Sequence, residues 1–191
     1  RVIIGCLDEN KRVLGKGLKK LKQAGCEVKI GVLKSKCQKL NCRFFSFHQK
    51  KRPYVILKWA ESLDGFIAPK ENQKKYWLTN PLSKQRVHQW RSQEQSIMIG
   101  VQTVLDDNPK LDTRLWNGKN PVSIVIDPSK KLSKTHGNFN LMKEKFITIK
   151  NQNRKKNKDQ LSIKAQEILD QIFNNSLQSV IIEGGTKTLQ H

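Results

Sequence analysis

Short apolar runs recur along the chain and alternate with polar or helix-like stretches. They begin at residues 2, 54, 96, 123 and 179 and read VIIG, YVILKWA, SIMIGV, SIVID and SVIIE. Strands that are buried on both faces of a parallel sheet give such uninterrupted apolar runs. Strands that alternate with helices are typical of α/β proteins. The sequence therefore predicts an α/β fold with a mostly parallel sheet, and no run approaches the ~20 apolar residues of a membrane span.

The chain is strongly basic, with 37 Lys and Arg against 16 Asp and Glu and a formal net charge of +21. Such a charge is compatible with nucleic-acid binding or with a lysine-rich surface. The lysines fall in scattered pairs, and neither an RNA-binding aromatic signature nor zinc-finger spacing accompanies them. We therefore do not expect nucleic-acid binding as the main function. A positive surface would still steer a phosphorylated small substrate towards a site.

All four cysteines lie in the first 42 residues, at Cys6, Cys26, Cys37 and Cys42. No two form a C-x-x-C pair, and no histidine lies among them, so a metal site is not expected in this segment. Free thiols are the usual state in a reducing cytoplasm. No signal peptide is visible, and we expect a cytoplasmic protein.

The pattern along the chain divides at the charged segment HQKKRP, residues 48–53. Residues 1–48 predict the order strand, helix, strand, helix, with Gly25 as the cap that ends the first helix. Residues 49–53 read as a linker, because Pro53 disfavours helix at the residue before it. Residues 54–191 read as a second α/β domain.

Within this second segment we predict five strands and two helices. The first helix spans residues 80–95, with Asn80 as N-cap and Pro81 at the first helical position. On this helix we expect His88 on the polar face and Trp90 packed inward with Val87. Residues 129–145 read as loop. The predicted strands are 54–60, 96–101, 121–128, 146–150 and 179–183, and the second helix is 161–173.

Ligands of open α/β sheets bind beyond the carboxyl ends of the strands. This rule selects candidates directly from the predicted strands. They are Ala60 with residues 62–65, then Thr103, Asp106 and Asp107, then Asp127, Pro128 and Ser129, and finally Glu183, Gly184 and Gly185.

The junction Glu183-Gly184-Gly185-Thr186 has two readings. Glycines let a backbone approach a ligand closely, and a helix N-terminus offers free N–H groups to a phosphate. Alternatively, the pair forms only a tight strand-to-helix turn. The motif is not G-x-G-x-x-G, so an ordinary dinucleotide fingerprint is not expected. The residues alone leave both readings open.

Other candidates are weaker taken singly. Asp106 and Asp107 could act in acid/base chemistry, but turn and cap chemistry is the commoner role before Asn-Pro. Arg91 and Arg114 could grip a phosphate bidentately, although a given arginine in so basic a chain is more often a surface residue. Trp77 could stack on a flat ring.

Four segments carry a resemblance to a known family. They read KKRPYVILKWAESLDGFIA, WLTNPLSKQRVHQWRSQEQSIMIGVQTVLDDNPKLDTR, IVIDP and VIIEGGTKTL. Together they resemble the reductase half of the bifunctional riboflavin biosynthesis deaminase/reductases, which is similar to dihydrofolate reductase. Residues 1–33 resemble the end of the family's cytidine-deaminase-like half. The resemblance covers essentially the whole chain, in order.

The resemblance implies a dihydrofolate-reductase-like domain over residues 54–191, incomplete at its carboxyl end, after the C-terminal part of a deaminase domain. It implies that NADPH reduces the ring-closed ribose of 5-amino-6-(5-phosphoribosylamino)uracil to an open ribityl chain, with hydride delivered to C1 of the sugar. It also implies that the protein is a homo-oligomer and that its binding partner is its substrate, a small phosphorylated pyrimidine.

The resemblance carries over a set of site residues. The cofactor contacts fall on Ala60, Trp77, Thr103, Asp107 and the turn Gly185, Thr186, Lys187, Thr188, Leu189, as far as about His191. The substrate contacts fall on Arg91, Leu111, Arg114 and Glu183, and Lys58 is also in the family pattern near the substrate.

The chemistry of these residues fits the implied reaction. Arg91 and Arg114 suit a substrate phosphate, and the carboxylates of Asp107 and Glu183 suit ribose hydroxyls. A proton is needed at the ring oxygen as the sugar opens, and our hypothesis is that Lys58 or a carboxylate supplies it. The catalytic candidates are therefore Lys58, Asp107 and Glu183.

The sequence departs from the family pattern at Lys75, where a small Ser is frequent, and at Pro128, where some members have Ser. Zinc deaminases need H-x-E and P-C-x-x-C, and this chain has neither, so we expect zinc only in an upstream part of the parent protein.

Three alternative functions stay open: a pterin-type reductase on the same fold, a basic nucleic-acid-binding protein and a non-catalytic remnant.

Overall fold

A computed structural model describes residues 1–10, 12–13, 15–67, 78–134, 139–143, 146–150 and 163–189. The chain forms two compact units, residues 1–54 and residues 55–191. Three residues singled out from the sequence, Lys75, Trp77 and His191, lie outside the described residues.

The first unit has the predicted order of strand, helix, strand, helix, with a further helix at its end. Strands β1 and β2 pair in parallel, with Val2 opposite Val28. The left-handed φ of 76° at Gly25 confirms that this glycine ends the first helix. The helix-like stretch after β2 is broken at Asn41, whose side chain donates a hydrogen bond of 2.9 Å to the carbonyl of Cys37. The elements are β1 (Val2–Ile4), α1 (Lys16–Gln23), β2 (Val28–Ile30), α2 (Lys34–Leu40) and α3 (Cys42–Lys50).

The second unit is a five-stranded sheet with helical connections, in the order β3-β7-β4-β5-β6. Strand β4 pairs in parallel with both β5 and β7, and β5 pairs in parallel with β6. The predicted α/β class with a mostly parallel sheet is confirmed. The elements are β3 (Tyr54–Lys58), α4 (Pro81–Gln93), β4 (Ser96–Gly100), α5 (Val101–Asp107), β5 (Val122–Ile126), α6 (Lys131–Lys134), a 3-10 helix (Asn140–Lys143), β6 (Phe146–Ile149), α7 (Ala165–Asn174), β7 (Ser179–Glu183) and α8 (Thr186–Leu189).

The core lies on both faces of this sheet, because successive side chains of a strand point to opposite faces. Ile97 and Ile99 pack on one face together with Ile181, while Met98 packs on the other with Val180. The middle residues of the neighbouring strands β4 and β7 are therefore apolar and pack on both faces of the sheet.

Helix α4 begins as predicted but turns a different face inward. The Asn80 side chain accepts a hydrogen bond of 2.8 Å from the Ser83 N–H, and Pro81 is the first helical residue. The expectations for His88 and Trp90 are wrong, since His88 is buried and Trp90 is exposed. His88 lies three residues before Arg91, so the two share one side of the helix.

Two segments read as turn or loop contain short helices. Helix α5 starts directly after β4, and α6 lies within residues 129–145. Asp127, selected as a strand-end candidate, is buried and accepts hydrogen bonds from the N–H groups of Lys131 (2.8 Å) and Leu132 (3.0 Å). Both of its carboxylate oxygens therefore cap α6. Within the described ranges no helix is long and apolar enough to span a bilayer.

Candidate active site

Three charged side chains meet where β3 and β7 end. Lys58 is the last residue of β3, Glu183 is the last residue of β7, and the two strands are neighbours in the sheet. Arg91 reaches Glu183 from the last turn of α4. The guanidinium holds the carboxylate with two hydrogen bonds, Nε to Oε1 at 3.0 Å and Nη2 to Oε2 at 2.9 Å. The Lys58 ammonium lies 3.4 Å from Oε2. We call these three residues the ion cluster.

The ion cluster is largely shielded from water, since the side chains of Arg91 and Glu183 are only 12% and 11% exposed. Burial by itself raises the pKa of Glu183, but the hydrogen bonds and charge of Arg91, followed by Lys58, outweigh it and lower that pKa below its ordinary value. Glu183 is therefore a carboxylate at neutral pH and accepts hydrogen bonds rather than donating a proton.

Arg91 makes a third hydrogen bond, in which Nη1 donates to the backbone carbonyl of Asp112 at 3.1 Å. A guanidinium has five N–H donors, and three of them are used by Glu183 and Asp112. The remaining N–H groups, one on each Nη, are what Arg91 can offer to a ligand.

The loop that contains Asp112 is built by its own side chains. Thr113 donates through its backbone N–H and its hydroxyl to the Asn120 side chain, both at 2.9 Å. A Cβ on Gly118 would lie 2.5 Å from the Cβ of Ser92 on α4. The loop thus packs so closely on α4 that only glycine fits there, which sets the Asp112 carbonyl opposite Arg91.

Two predicted substrate residues lie on this loop and differ in what they present. Leu111 has a left-handed φ of 54°, and its side chain is buried in the core. Only its backbone can meet a ligand. Arg114 is 53% exposed and forms an ion pair with the Asp112 carboxylate, so it is the more accessible of the two predicted arginines.

The two glycines after β7 have different surroundings. A Cβ on Gly184 would lie 2.6 Å from the Cβ of Thr188, and one on Gly100 would lie 2.7 Å from the Thr188 hydroxyl oxygen. Thr188 therefore packs against the ends of both β7 and β4, and both positions need glycine for packing. Among the described residues other than its chain neighbours, none has an atom within 4 Å of a Cβ placed on Gly185. The interpretation as a tight turn explains why glycine is needed at position 184. At position 185 the backbone borders open space instead.

The other predicted cofactor residues follow β3 and β4, the two strands that flank β7 in the sheet. Ala60 is half-buried two residues after β3, Thr103 is half-buried in the first turn of α5, and Asp107 is exposed at the last residue of α5. The structure thus brings three of the predicted residues, Lys58, Arg91 and Glu183, into one cluster. Thr186, Lys187, Thr188 and Leu189 form α8, directly after the glycine pair.

Two residues of the site were not found from the sequence. Asp112 contributes a backbone carbonyl, which no residue type signals. His88 is 5% exposed, and among the described side chains its Nδ1 is the one buried nitrogen or oxygen atom without a hydrogen-bond partner. Its spacing of three residues from Arg91 was the available signal.

A family model described as "RibD C-terminal domain" matches residues 53–191. The riboflavin biosynthesis protein RibD of Actinobacillus pleuropneumoniae is 48% identical over 127 residues, which cover 66% of this chain and 34% of that protein. The protein of the same name from Aquifex aeolicus is 34% identical over 200 residues, covering 99% of this chain and 56% of the relative. The chain thus spans about a third to just over half of the length of these relatives.

Among solved structures, the diaminohydroxyphosphoribosylaminopyrimidine deaminase/5-amino-6-(5-phosphoribosylamino)uracil reductase of Thermotoga maritima is similar over 99% of this chain and 55% of that chain. The two are 34% identical, with a TM-score of 0.80.

Proposed function

Because the chain belongs to the RibD C-terminal domain family, we propose that it performs the reductase reaction of riboflavin biosynthesis. The substrate is 5-amino-6-(5-phosphoribosylamino)uracil, and its ring-closed ribose is reduced to the ribityl chain. The observation that carries the proposal is the ion cluster, in which a buried carboxylate and two cations meet at the strand ends where α/β proteins bind ligands.

In this proposal Glu183 binds the sugar. Its pKa is lowered, so it stays ionised and accepts hydrogen bonds from ribose hydroxyls. Arg91 fixes its orientation with two parallel hydrogen bonds, which restrict the carboxylate more than a single contact does. Proton donation is accordingly not assigned to Glu183.

Lys58 is the proposed proton donor to the ring oxygen as the sugar opens. An ammonium has three N–H donors, and one of them is directed at Glu183. The others remain for the substrate, because the Lys58 side chain is part-exposed. Asp107 stays a second candidate for acid/base work, on the resemblance alone.

Arg114 is the proposed main cation for the substrate phosphate. Arg91 has most of its donors engaged, whereas Arg114 is exposed and lies two residues from the Asp112 carbonyl that Arg91 contacts. The net charge of +21 would help to attract the phosphorylated substrate.

NADPH is the proposed cofactor, and when bound it supplies the hydride. The backbone of Gly185 is open to such a group, because apart from its chain neighbours no described residue has an atom within 4 Å of the place where a Cβ would stand. The residues that would hold it are Ala60, Trp77, Thr103, Asp107 and the turn from Gly185 to Leu189. At Gly185 the backbone is accessible, and at Thr188 the hydroxyl is shared with the packing against Gly100.

We further propose that residues 1–48 are the C-terminal part of a deaminase-like domain, joined by residues 49–53 to the reductase domain of residues 54–191. Zinc does not fit the residues present, since the described part of the chain has no group of three His, Cys, Asp or Glu side chains that would hold a metal. The steps proposed for this chain therefore do not involve zinc. A cytoplasmic location suits the four free cysteines, and a homo-oligomer is proposed on the family resemblance.

The test is the substrate dependence of NADPH oxidation by the purified protein, followed at 340 nm. We expect oxidation with the phosphoribosylaminouracil and none with a dihydropterin. Asp170→Asn is the matched control for variants of the ion cluster, because this carboxylate is exposed on α7 and accepts a hydrogen bond from Gln166 Nε2. Oxidation with the dihydropterin alone would favour the pterin-type reductase. Tight, salt-sensitive binding of unrelated oligonucleotides without oxidation would favour a nucleic-acid-binding protein.

A further inference from the structure

Asp112 contacts both of the arginines that are proposed to bind the substrate. Its backbone carbonyl accepts a hydrogen bond of 3.1 Å from Nη1 of Arg91. Its carboxylate forms an ion pair with Nη1 of Arg114, two residues further along the same loop. The two contacts are made by different parts of the residue, so a substitution of the side chain can remove the second contact and leave the first.

The backbone of Asp112 is held from two directions. Arg91 holds its carbonyl, and the next residue, Thr113, is buried and donates two hydrogen bonds of 2.9 Å to the Asn120 side chain. The Asp112 side chain is only 20% exposed, whereas that of Arg114 is 53% exposed. The carboxylate is therefore a charge at a fixed place, and the guanidinium is the partner that a dissolved ligand can reach.

A fixed carboxylate beside an accessible guanidinium competes with any anion that approaches the guanidinium. Carboxylate and phosphate oxygens bind the same N–H donors of arginine. The Asp112 carboxylate belongs to the chain, so its effective concentration at Arg114 is of the order of millimolar or higher. An ion pair with an exposed partner is nevertheless weak, and a phosphate monoester with a charge of roughly −1.5 to −2 at neutral pH can take its place.

We propose that Asp112 sets the strength of the phosphate contact, because its carboxylate occupies Arg114 in the empty site and competes there with the phosphate of the substrate. The competition lowers the affinity for a phosphorylated sugar and leaves the affinity for the same sugar without phosphate unchanged. The assignment of Arg114 to the phosphate rests on the proposed function, whereas the contacts of Asp112 with the two arginines do not.

Asp112→Asn is the variant that isolates the charge. It keeps the shape of the side chain and the backbone carbonyl that Arg91 contacts. Asp112→Ser removes the same charge with a smaller side chain, and the two variants should behave alike. Asp170→Asn is the matched control, since it changes the net charge by the same amount at an exposed position on α7. Urea unfolding of all three should give midpoints close to that of the wild type, because ion pairs with exposed partners contribute little to stability.

The binding readout is calorimetry at neutral pH without NADPH. The probes are methyl ribofuranoside 5-phosphate and methyl ribofuranoside, which share a closed ring and differ in the phosphate. We expect Asp112→Asn to bind the riboside phosphate about threefold to tenfold more tightly than the wild type, the size expected for one charge a few ångströms away in a mostly aqueous medium. The riboside without phosphate should gain nothing. The gain should shrink when the salt concentration is raised from about 0.05 M to about 0.5 M.

A double-variant cycle tests whether the effect passes through Arg114. In a chain that already carries Arg114→Met, the addition of Asp112→Asn should change the affinity for the riboside phosphate by less than about twofold, because the shared partner is absent. Unchanged or weaker binding by Asp112→Asn and Asp112→Ser overturns the proposal. So does an equal gain in Asp170→Asn, or the full gain in the Arg114→Met chain.

Activity separates this inference from the proposed function. If the wild type does not oxidise NADPH with the phosphoribosylaminouracil while the riboside phosphate binds in the expected order of affinities, the proposed function fails and the role of Asp112 stands. If the wild type oxidises NADPH and Asp112→Asn does not bind the riboside phosphate more tightly, the proposed function stands and the role of Asp112 fails. Absence of riboside phosphate binding to both the wild type and Asp112→Asn also overturns the role of Asp112.

Discussion

Glu183→Gln tests whether the ion cluster is held together as the structure indicates. The substitution keeps the shape of the side chain but removes the charge. It also places an amide N–H₂ where a carboxylate oxygen accepted from Arg91 and Lys58. Two cations are then left in a region that is largely shielded from water, since the Arg91 side chain is 12% exposed.

The magnitude follows from this burial. Glu183 accepts two short charge-assisted hydrogen bonds, at 3.0 and 2.9 Å, and one longer contact at 3.4 Å. Removing one partner of a buried ion pair costs about 3–5 kcal/mol, because the remaining charge stays without compensation. In a protein of this size such a loss lowers Tm by roughly 10 °C.

The assay is urea unfolding at pH 7, with Asp170→Asn as the matched control. Asp170 is exposed, so the control should change the free energy of unfolding by less than about 0.5 kcal/mol. A double variant with Arg91→Met should recover part of the loss, because it removes the uncompensated cation. A Glu183→Gln loss below about 1 kcal/mol would mean that the pair behaves as a solvent-exposed one, and the reasoning would be refuted.

Three further outcomes follow from the same geometry. Gly184→Ala should lower the free energy of unfolding by about 1–3 kcal/mol, because the new methyl group overpacks against Thr188. Gly185→Ala should change the free energy of unfolding by less than about 0.5 kcal/mol and should instead raise KM for NADPH. Equal losses of stability in the two variants would contradict this prediction. Arg91→Lys replaces a bidentate contact with a point charge. KM for the sugar phosphate should therefore rise by about tenfold, a loss of about 1.4 kcal/mol in binding free energy, or more. An unchanged KM would show that Arg91 is not part of the binding site. The folded-state pKa of Glu183 lies below its ordinary value of 4.5. The stability that the ionised Glu183 contributes is therefore complete above that ordinary value and is lost as the pH falls through the folded-state pKa. The free energy of urea unfolding should accordingly fall more for the wild type than for Glu183→Gln between pH 6 and pH 3, and parallel curves would contradict the ionised state.

The strands and the place of Glu183 at the end of β7 were predictable from the sequence, whereas Lys58 became a candidate only through the family resemblance. Apolar runs marked the strands, and the rule for open α/β sheets directed attention to the residues at their carboxyl ends. It did not separate residues that face a ligand site from those that cap a helix. Asp127 directly follows β5 and Glu183 is the last residue of β7, yet the Asp127 carboxylate caps α6.

The inner face of α4 could not be read from hydrophobicity. Its apolar residues Leu82 and Trp90 are exposed, while His88 is buried and Arg91 is part-buried. A helix that faces a polar site turns polar residues inward, which reverses the usual amphipathic pattern. The contribution of Asp112 was equally hidden, because a backbone carbonyl leaves no trace in residue type.

The central claim is that the ion cluster binds a closed ribose so that its C1 is reduced. The most direct measurement uses NADPH that carries deuterium in both positions at C4 of the nicotinamide, with the phosphoribosylaminouracil as substrate. The product is analysed by mass spectrometry and NMR. We expect a ribityl product with one deuterium at C1 of the sugar chain, formed at a greatly reduced rate by Glu183→Gln. A product without deuterium at C1, or the same rate from the Glu183→Gln variant, would contradict the claim.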